Sequence, residues 1–225
     1  MKLWLMVSVA ITLATLAASF WIYEFRYASL PERIPVHFDW RLEPDAWVSK
    51  DHAFVTFFLI PIVMGAGILL TVLLPWLSPR PFDVDRFRGT YAYVMTLVIA
   101  LMGFVHFVFL WTALYSPGSY KMGRLLVAGS FLFVALAGNV LGKIRRNFWM
   151  GVRTPWTLAS EAVWIQTHRL AAWLFVGYGV AGMIAILLGV PPLWCVSGLI
   201  GMVIVPAVYS AVLYKRLERR GGGSE

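Results

Sequence analysis

The sequence predicts an all-α integral membrane protein: a six-transmembrane-helix bundle with an irregular outer loop and an interfacial inner-loop helix. Three observations predict it. Of the 225 residues, 60% are hydrophobic and only 13% charged, whereas a soluble domain carries about 25% charged residues. Several charge-poor stretches reach the roughly 20 residues that a helix needs to cross the hydrocarbon core. Lys and Arg collect between those stretches with a bias to one side.

The first stretch, 3–23, follows Met1-Lys2 and is longer than a signal-peptide core. It lacks a small-residue cleavage site before Glu24, so it is expected to be a retained helix. Stretches 53–74, 90–114 and 125–141 give three more spans. The run 170–214 is too long for one, and Gly189-Val190-Pro191-Pro192 divides it, because consecutive prolines remove donors and clash with a preceding helical turn. Small residues at Gly65, Gly67, Gly138, Gly142, Gly177, Ala181, Gly198 and Gly201 are expected to pack helices closely, and Pro61 and Pro206 fall inside spans.

With the N-terminus inside, Lys2, Arg80, Arg86, Arg88, Lys143, Arg145, Arg146, Arg153, Arg169, Lys215, Arg216, Arg219 and Arg220 face the cytoplasm. Only Arg26, Arg33, Arg41, Lys50, Lys121 and Arg124 face outward. The asymmetry predicts that both termini are cytoplasmic. The net charge of +8 is then explained by insertion and by anionic headgroups of the lipid bilayer. No basic-aromatic motif points to direct nucleic acid binding. The chain divides into an N-terminal membrane domain at 1–88, a four-helix region at 89–220 and an appended Gly/Ser linker at 221–225.

Two polar segments stand out, and they are expected on opposite faces. The outer loop contains Pro31, Pro35, His37, Asp39, Asp45 and Lys50. Its prolines at 31, 35 and 44 resist a helix, and 34–38 alternates like a short strand or extended lid. Phe38, Trp40 and Trp47 suit a cap at the membrane interface. Six acidic residues against four basic ones make the loop net acidic, attractive to a cationic peptide. His37, Asp39, Glu43, Asp45 and His52 lack ligand spacing and read as hydrogen-bonding loop residues, so neither a metal nor a cofactor is assigned.

The inner segment runs through Asn147, Gly151, Arg153, Thr154, Pro155, Trp156, Thr157, Glu161, Trp164, His168 and Arg169. Pro155 and Thr157 predict a helix start from which the fifth span continues, with Glu161 near the positive end of its dipole. Glu161, Trp164 and His168 share one stripe, yet Glu161 and His168 stand about 10 Å apart along the axis. Two readings stay open: an interfacial helix with tryptophans and Arg169 at headgroup level, or a docking surface where Arg153 pairs a carboxylate or phosphate beside Trp156. Within the spans, His106 is equally a functional or a structural group, and Asn139 is expected to tie helices together.

At these motifs the chain resembles a known family. Leu30-Pro31-Glu32-Arg33-Ile34-Pro35-Val36-His37-Phe38, with Glu43-Pro44-Asp45 and Ser49-Lys50, is similar to the small membrane domain of unknown function that precedes SdpI-type regions. Gly151 through Leu158, with Trp164 and His168-Arg169, resembles the signature of the SdpI immunity-protein family. Gly138-Asn139 and Asn147 also fall where that family carries a Gly-Asn pair and an Asn. Two positions depart from the pattern: Leu42 stands where a glycine usually precedes Glu-Pro-Asp, and Ala171-Ala172 replace a glycine after His-Arg.

The resemblance implies a bacterial cytoplasmic-membrane protein that gives resistance to a secreted peptide toxin. In one branch such a protein also signals by holding a cytoplasmic transcriptional repressor at the membrane. Two alternatives remain beside it. One is an intramembrane enzyme using Glu161, His168 and Arg153 with Asp83 or Asp85. The other is a small transporter or channel resting on His106.

Overall fold

Backbone groups in lipid must satisfy one another within a segment, so each apolar stretch closes as a helix. The computed structural model describes residues 1–79, 84–115 and 120–221; Arg80, Asp83, the side chain of Lys121 and residues 222–225 lie outside the described set. The spans are α1 (Lys2–Phe25), α2 (Ala53–Trp76), α3 (Arg88–Tyr115), α4 (Tyr120–Leu141), α6 (Glu161–Leu187) and α7 (Pro192–Gly221), with a five-residue helix α5 (Pro155–Ala159) before α6. Among the described residues, six helices are long and apolar enough to cross a membrane. The predicted break between the last two spans is present. Gly189 takes a positive φ of 101°, Val190 N–H donates to Ala185 O and Gly189 N–H to Ile186 O, and this pair of bonds closes α6 as a Schellman motif.

Alternate traversal puts the segment between α1 and α2 at one end of the bundle and the segment between α4 and α6 at the other. The first folds as a hairpin, β1 (Arg33–Phe38) antiparallel to β2 (Pro44–Ser49), with Ile34 opposite Val48 and irregular register around His37. The alternation at 34–38 anticipated β1. It did not reveal β2, whose Pro44-Asp45-Ala46-Trp47 lacks alternation and leaves Asp45, Ala46 and Trp47 exposed. Ile34 is wholly buried and packs with Ile22, Leu30, Phe57 and Leu110, so the hairpin is docked on α1, α2 and α3.

Three expectations need correction. The fifth span does not run on from Pro155: Ser160 is extended (φ −132°, ψ 126°) and separates α5 from α6, capping α6 with its hydroxyl on Val163 N–H. Asn139 does not tie helices, because its position on α4 is exposed. Several of the glycines read as packing sites, Gly65, Gly177 and Gly201, face open space. The closest backbone approach is instead at Gly179 of α6, where a Cβ would sit 2.6 Å from Ala135 N and 2.8 Å from Phe131 O of α4. Gly138 meets Phe175 in the same seam, its Cβ position 2.6 Å from that of Phe175. Only small residues let two helices come this near.

Between α1 and α3 the packing includes polar contacts. Ser8 and Thr96 hydroxyls lie 2.9 Å apart, and His106 Nε2 lies 2.7 Å from Ser19 Oγ. These bonds span helices where water is absent, so they hold the first and third spans together.

Candidate functional site

At the hairpin end, the tip is built by Asp39. Its Oδ1 accepts from Arg41 N–H at 2.8 Å and Glu43 N–H at 2.9 Å, while its own N–H donates to Glu43 O at 2.8 Å. This turn forces Leu42 to a φ of 68°, the left-handed region that costs a side-chain-bearing residue about 1–2 kcal/mol. The departure from the family's glycine therefore sits where glycine would relieve strain. Leu42 is 7% exposed and lies against Gly123 of α4, where a Cβ would be 2.8 Å from its own. Burial of an isobutyl group, about 1.5–3 kcal/mol, offsets the strain and pins the tip to α4.

Between the hairpin and the ends of α4 and α7 lies a cavity of about 450 Å³, lined by Val36, Phe38, Trp40, Leu42, Leu126 and Val196 among others. It is mostly apolar, with His37 and Asp39 on its rim. His37 Nδ1 lies 2.5 Å from Asp45 Oδ1, both exposed. Lys50 faces inward instead, its Nζ 3.9 Å from Glu32 and 4.9 Å from the Tyr27 ring centroid. Pro35 is buried and Pro31 half-buried, so both shape the hairpin rather than offering a contact. No three His, Cys, Asp or Glu side chains among the described residues cluster as a metal site would need.

At the opposite end, residues 144–160 form a hydrogen-bonded knot. Asn147 is fully buried, and its amide is saturated. Its Nδ2 donates to Arg145 O and Met150 O, and its Oδ1 accepts from Trp149 and Met150 N–H. Thr154 caps α5: its Oγ1 accepts from Thr157 N–H, and Thr157 Oγ1 accepts from Thr154 N–H and donates toward Val152 O. The Thr154 hydroxyl also lies 2.8 Å from Ser210 Oγ on α7. Trp164 is wholly buried within the protein, so its ring does not face the headgroups as the interfacial reading expected. Its indole N–H donates to Ile144 O at 2.8 Å, and its ring stacks on His168 at 4.0 Å.

His168 is committed at both nitrogens. Nδ1 faces Trp164 O at 2.8 Å and Nε2 accepts from Val152 N–H at 3.0 Å. A carbonyl needs a donor and an amide N–H an acceptor, so the ring is the neutral Nδ1–H tautomer. Such a group cannot exchange protons with substrate without releasing the loop. Glu161 and Arg169 are exposed, and Asp85 bonds to Arg88 at 2.6 Å. The constellation that an enzyme would need is thus not assembled among the described residues. Gly151 is required twice over: its φ is 106°, and a Cβ there would lie 2.3 Å from His168 Nε2.

What the knot leaves exposed is Arg153, whose guanidinium lies 4.7 Å from the Phe148 ring centroid. Trp156 is half-buried in α5 and Pro155 exposed. Below Arg153 a second cavity, about 490 Å³, runs between α4, α6 and α7. The structure brings the residues singled out from the sequence together with Ser210, Phe148 and Ile144, which the sequence did not single out; the only signal for these three is proximity in the fold. His106, the intramembrane group, is wholly buried, and nothing partners its Nδ1 among the described residues.

These features define a class: a multi-pass membrane protein with a hairpin-roofed cavity at one end and a buried-histidine loop at the other. Comparison with known proteins shows which families its two ends are similar to. The model of the SdpI/YfhL protein family matches residues 143–214, the segment that holds the knot. A domain of unknown function (DUF1648) matches residues 10–65, the segment that holds the hairpin. Through these two segments the chain is similar to the SdpI-type proteins that carry this N-terminal domain. It is 28% identical over 174 residues to Immunity protein SdpI of Bacillus subtilis (strain 168), covering 77% of this chain and 76% of that one. No solved structure matches it.

Proposed function

We propose that this protein is a membrane immunity protein that protects a bacterial cell from a secreted antimicrobial peptide. The observation that carries the reading is the likeness to Immunity protein SdpI over about three quarters of both chains. The hairpin end supplies a site suited to the task. A mostly apolar cavity of about 450 Å³ lies beneath an outer segment that is net acidic in sequence, with Trp40 exposed beside it, and a cationic amphiphilic peptide complements both features. In the orientation set by Lys and Arg, this end faces outside. Exposed Pro155, Glu161 and Arg169 then face the cytoplasm, where a repressor partner would meet them.

The test is a killing assay in a sensitive bacterium, with and without the protein, over a panel of secreted cationic peptides. Protection is expected against at least one peptide, and Val196→Trp, which fills the cavity, removes it at equal expression. Cysteine placed at Trp40 should be labelled from outside the cell. Unchanged killing across the panel would defeat the reading.

A further inference from the structure

The immunity reading does not use the cavity beneath Arg153. We propose that this cavity binds an anionic phospholipid, with the Arg153 guanidinium holding the phosphate and the space beneath it holding an acyl chain. Its lining is Leu141, Val152, Phe175, Met202, Val203 and Ala207, closed at the mouth by Gly151, Arg153 and Thr154. Apolar walls below a single cation match an amphiphile and fit neither a free ion nor a hydrophilic peptide.

Arg153 is held ready for such a ligand from both sides. Val152 is pinned through its N–H on His168 Nε2 at 3.0 Å and its carbonyl on Thr157 Oγ1 at 2.8 Å. Thr154 is pinned to Ser210 of α7 at 2.8 Å. The guanidinium rests near the Phe148 ring, and no carboxylate among the described residues makes an ion pair with it. A planar fork without a protein counter-charge, with a fixed backbone on either side, is prepared for a phosphate. Its depth fits too: Phe175 lies seven residues beyond His168 along α6, about 10 Å toward the bundle centre. The cavity therefore reaches from headgroup level into the acyl region, at the end that the basic residues assign to the cytoplasmic leaflet.

The experiment is native mass spectrometry of the full chain in detergent, titrated with phosphatidylglycerol, phosphatidylcholine or inorganic phosphate. The wild-type protein is expected to retain one phosphatidylglycerol in preference to phosphatidylcholine. Arg153 is exposed, so R153A should keep the fold, as circular dichroism would verify, while losing about tenfold or more in affinity. V203W should lose the lipid with the charge intact, and R169A, which removes another exposed cation at this end, should bind normally. Equal retention by wild type and R153A would overturn the proposal, as would full displacement of the lipid by inorganic phosphate, which would make the ligand phosphate alone. Loss of binding in R169A equal to that in R153A would reduce the effect to general surface charge and also overturn it. None of these outcomes depends on protection against a peptide.

Discussion

Replacing Gly151 with alanine tests whether the motif loop is held by His168. An L-residue at a φ of 106° is strained by about 1–3 kcal/mol. The new Cβ, 2.3 Å from His168 Nε2, must also push the ring away. That breaks its bond to Val152 N–H and leaves a buried donor and acceptor unpaired, a further ~1–3 kcal/mol. Together the loss is roughly 2–6 kcal/mol. The measurement is unfolding by SDS in mixed micelles, followed by circular dichroism, for G151A, H168A and the double variant. With His168 absent there is no ring to displace, so G151A should cost only its backbone strain there. The two substitutions should therefore couple by about 1–3 kcal/mol. Equal penalties in both backgrounds would refute the contact, and with it the claim that His168 is a structural neutral ring.

Leu42 offers a second test, because truncation and strain relief act in opposite directions. Both L42A and L42G lose the side chain buried against Gly123, but only glycine relieves the positive φ. L42G should therefore be the more stable of the two by about 1 kcal/mol in the same unfolding assay, and the reverse order would mean that the turn is not left-handed. The Thr154 to Ser210 contact should appear in a double-mutant cycle of T154V and S210A as a coupling of about 0.5–1.5 kcal/mol. Additive losses would show that the loop is not tied to α7.

The spans were legible because lipid imposes one requirement on every residue of a stretch, and composition records it directly. The α6–α7 break was legible for a similarly local reason: glycine followed by two prolines permits little else. The helix break at Ser160 was not, since Ser160 only acts as a cap if residues 154–159 are already held by Thr157 and Arg146, whose Nη1 donates to Leu158 O at 3.1 Å. Trp164 and His168 were singled out from the sequence, but their buried surroundings were not anticipated. Their partners, Ile144 O and Val152 N–H, are backbone groups, which leave no mark in the sequence. Asn139 and Asn147 look alike in the chain; one is exposed and the other buried with four hydrogen bonds. Only the turn at 145–150 separates them.

The two cavities share α7. Leu193 and Val196 line one, and Met202, Val203 and Ala207 line the other. Helices α4 and α6 pack backbone against backbone at Gly179 and Gly138, the tightest seam of the bundle's second half. Helix α7 is held differently, by Tyr178 OH donating to Cys195 O at 2.6 Å near one end and by the Thr154 to Ser210 contact near the other. Between those two attachments it carries Pro206, which removes an intrahelical hydrogen bond and makes bending easier. A displacement of α7 would change the volume of both cavities while the α4–α6 pair stayed fixed. Communication between the ends therefore requires an occupant of one cavity to prefer one position of α7 over another. Tight binding without that preference would shift nothing at the far end.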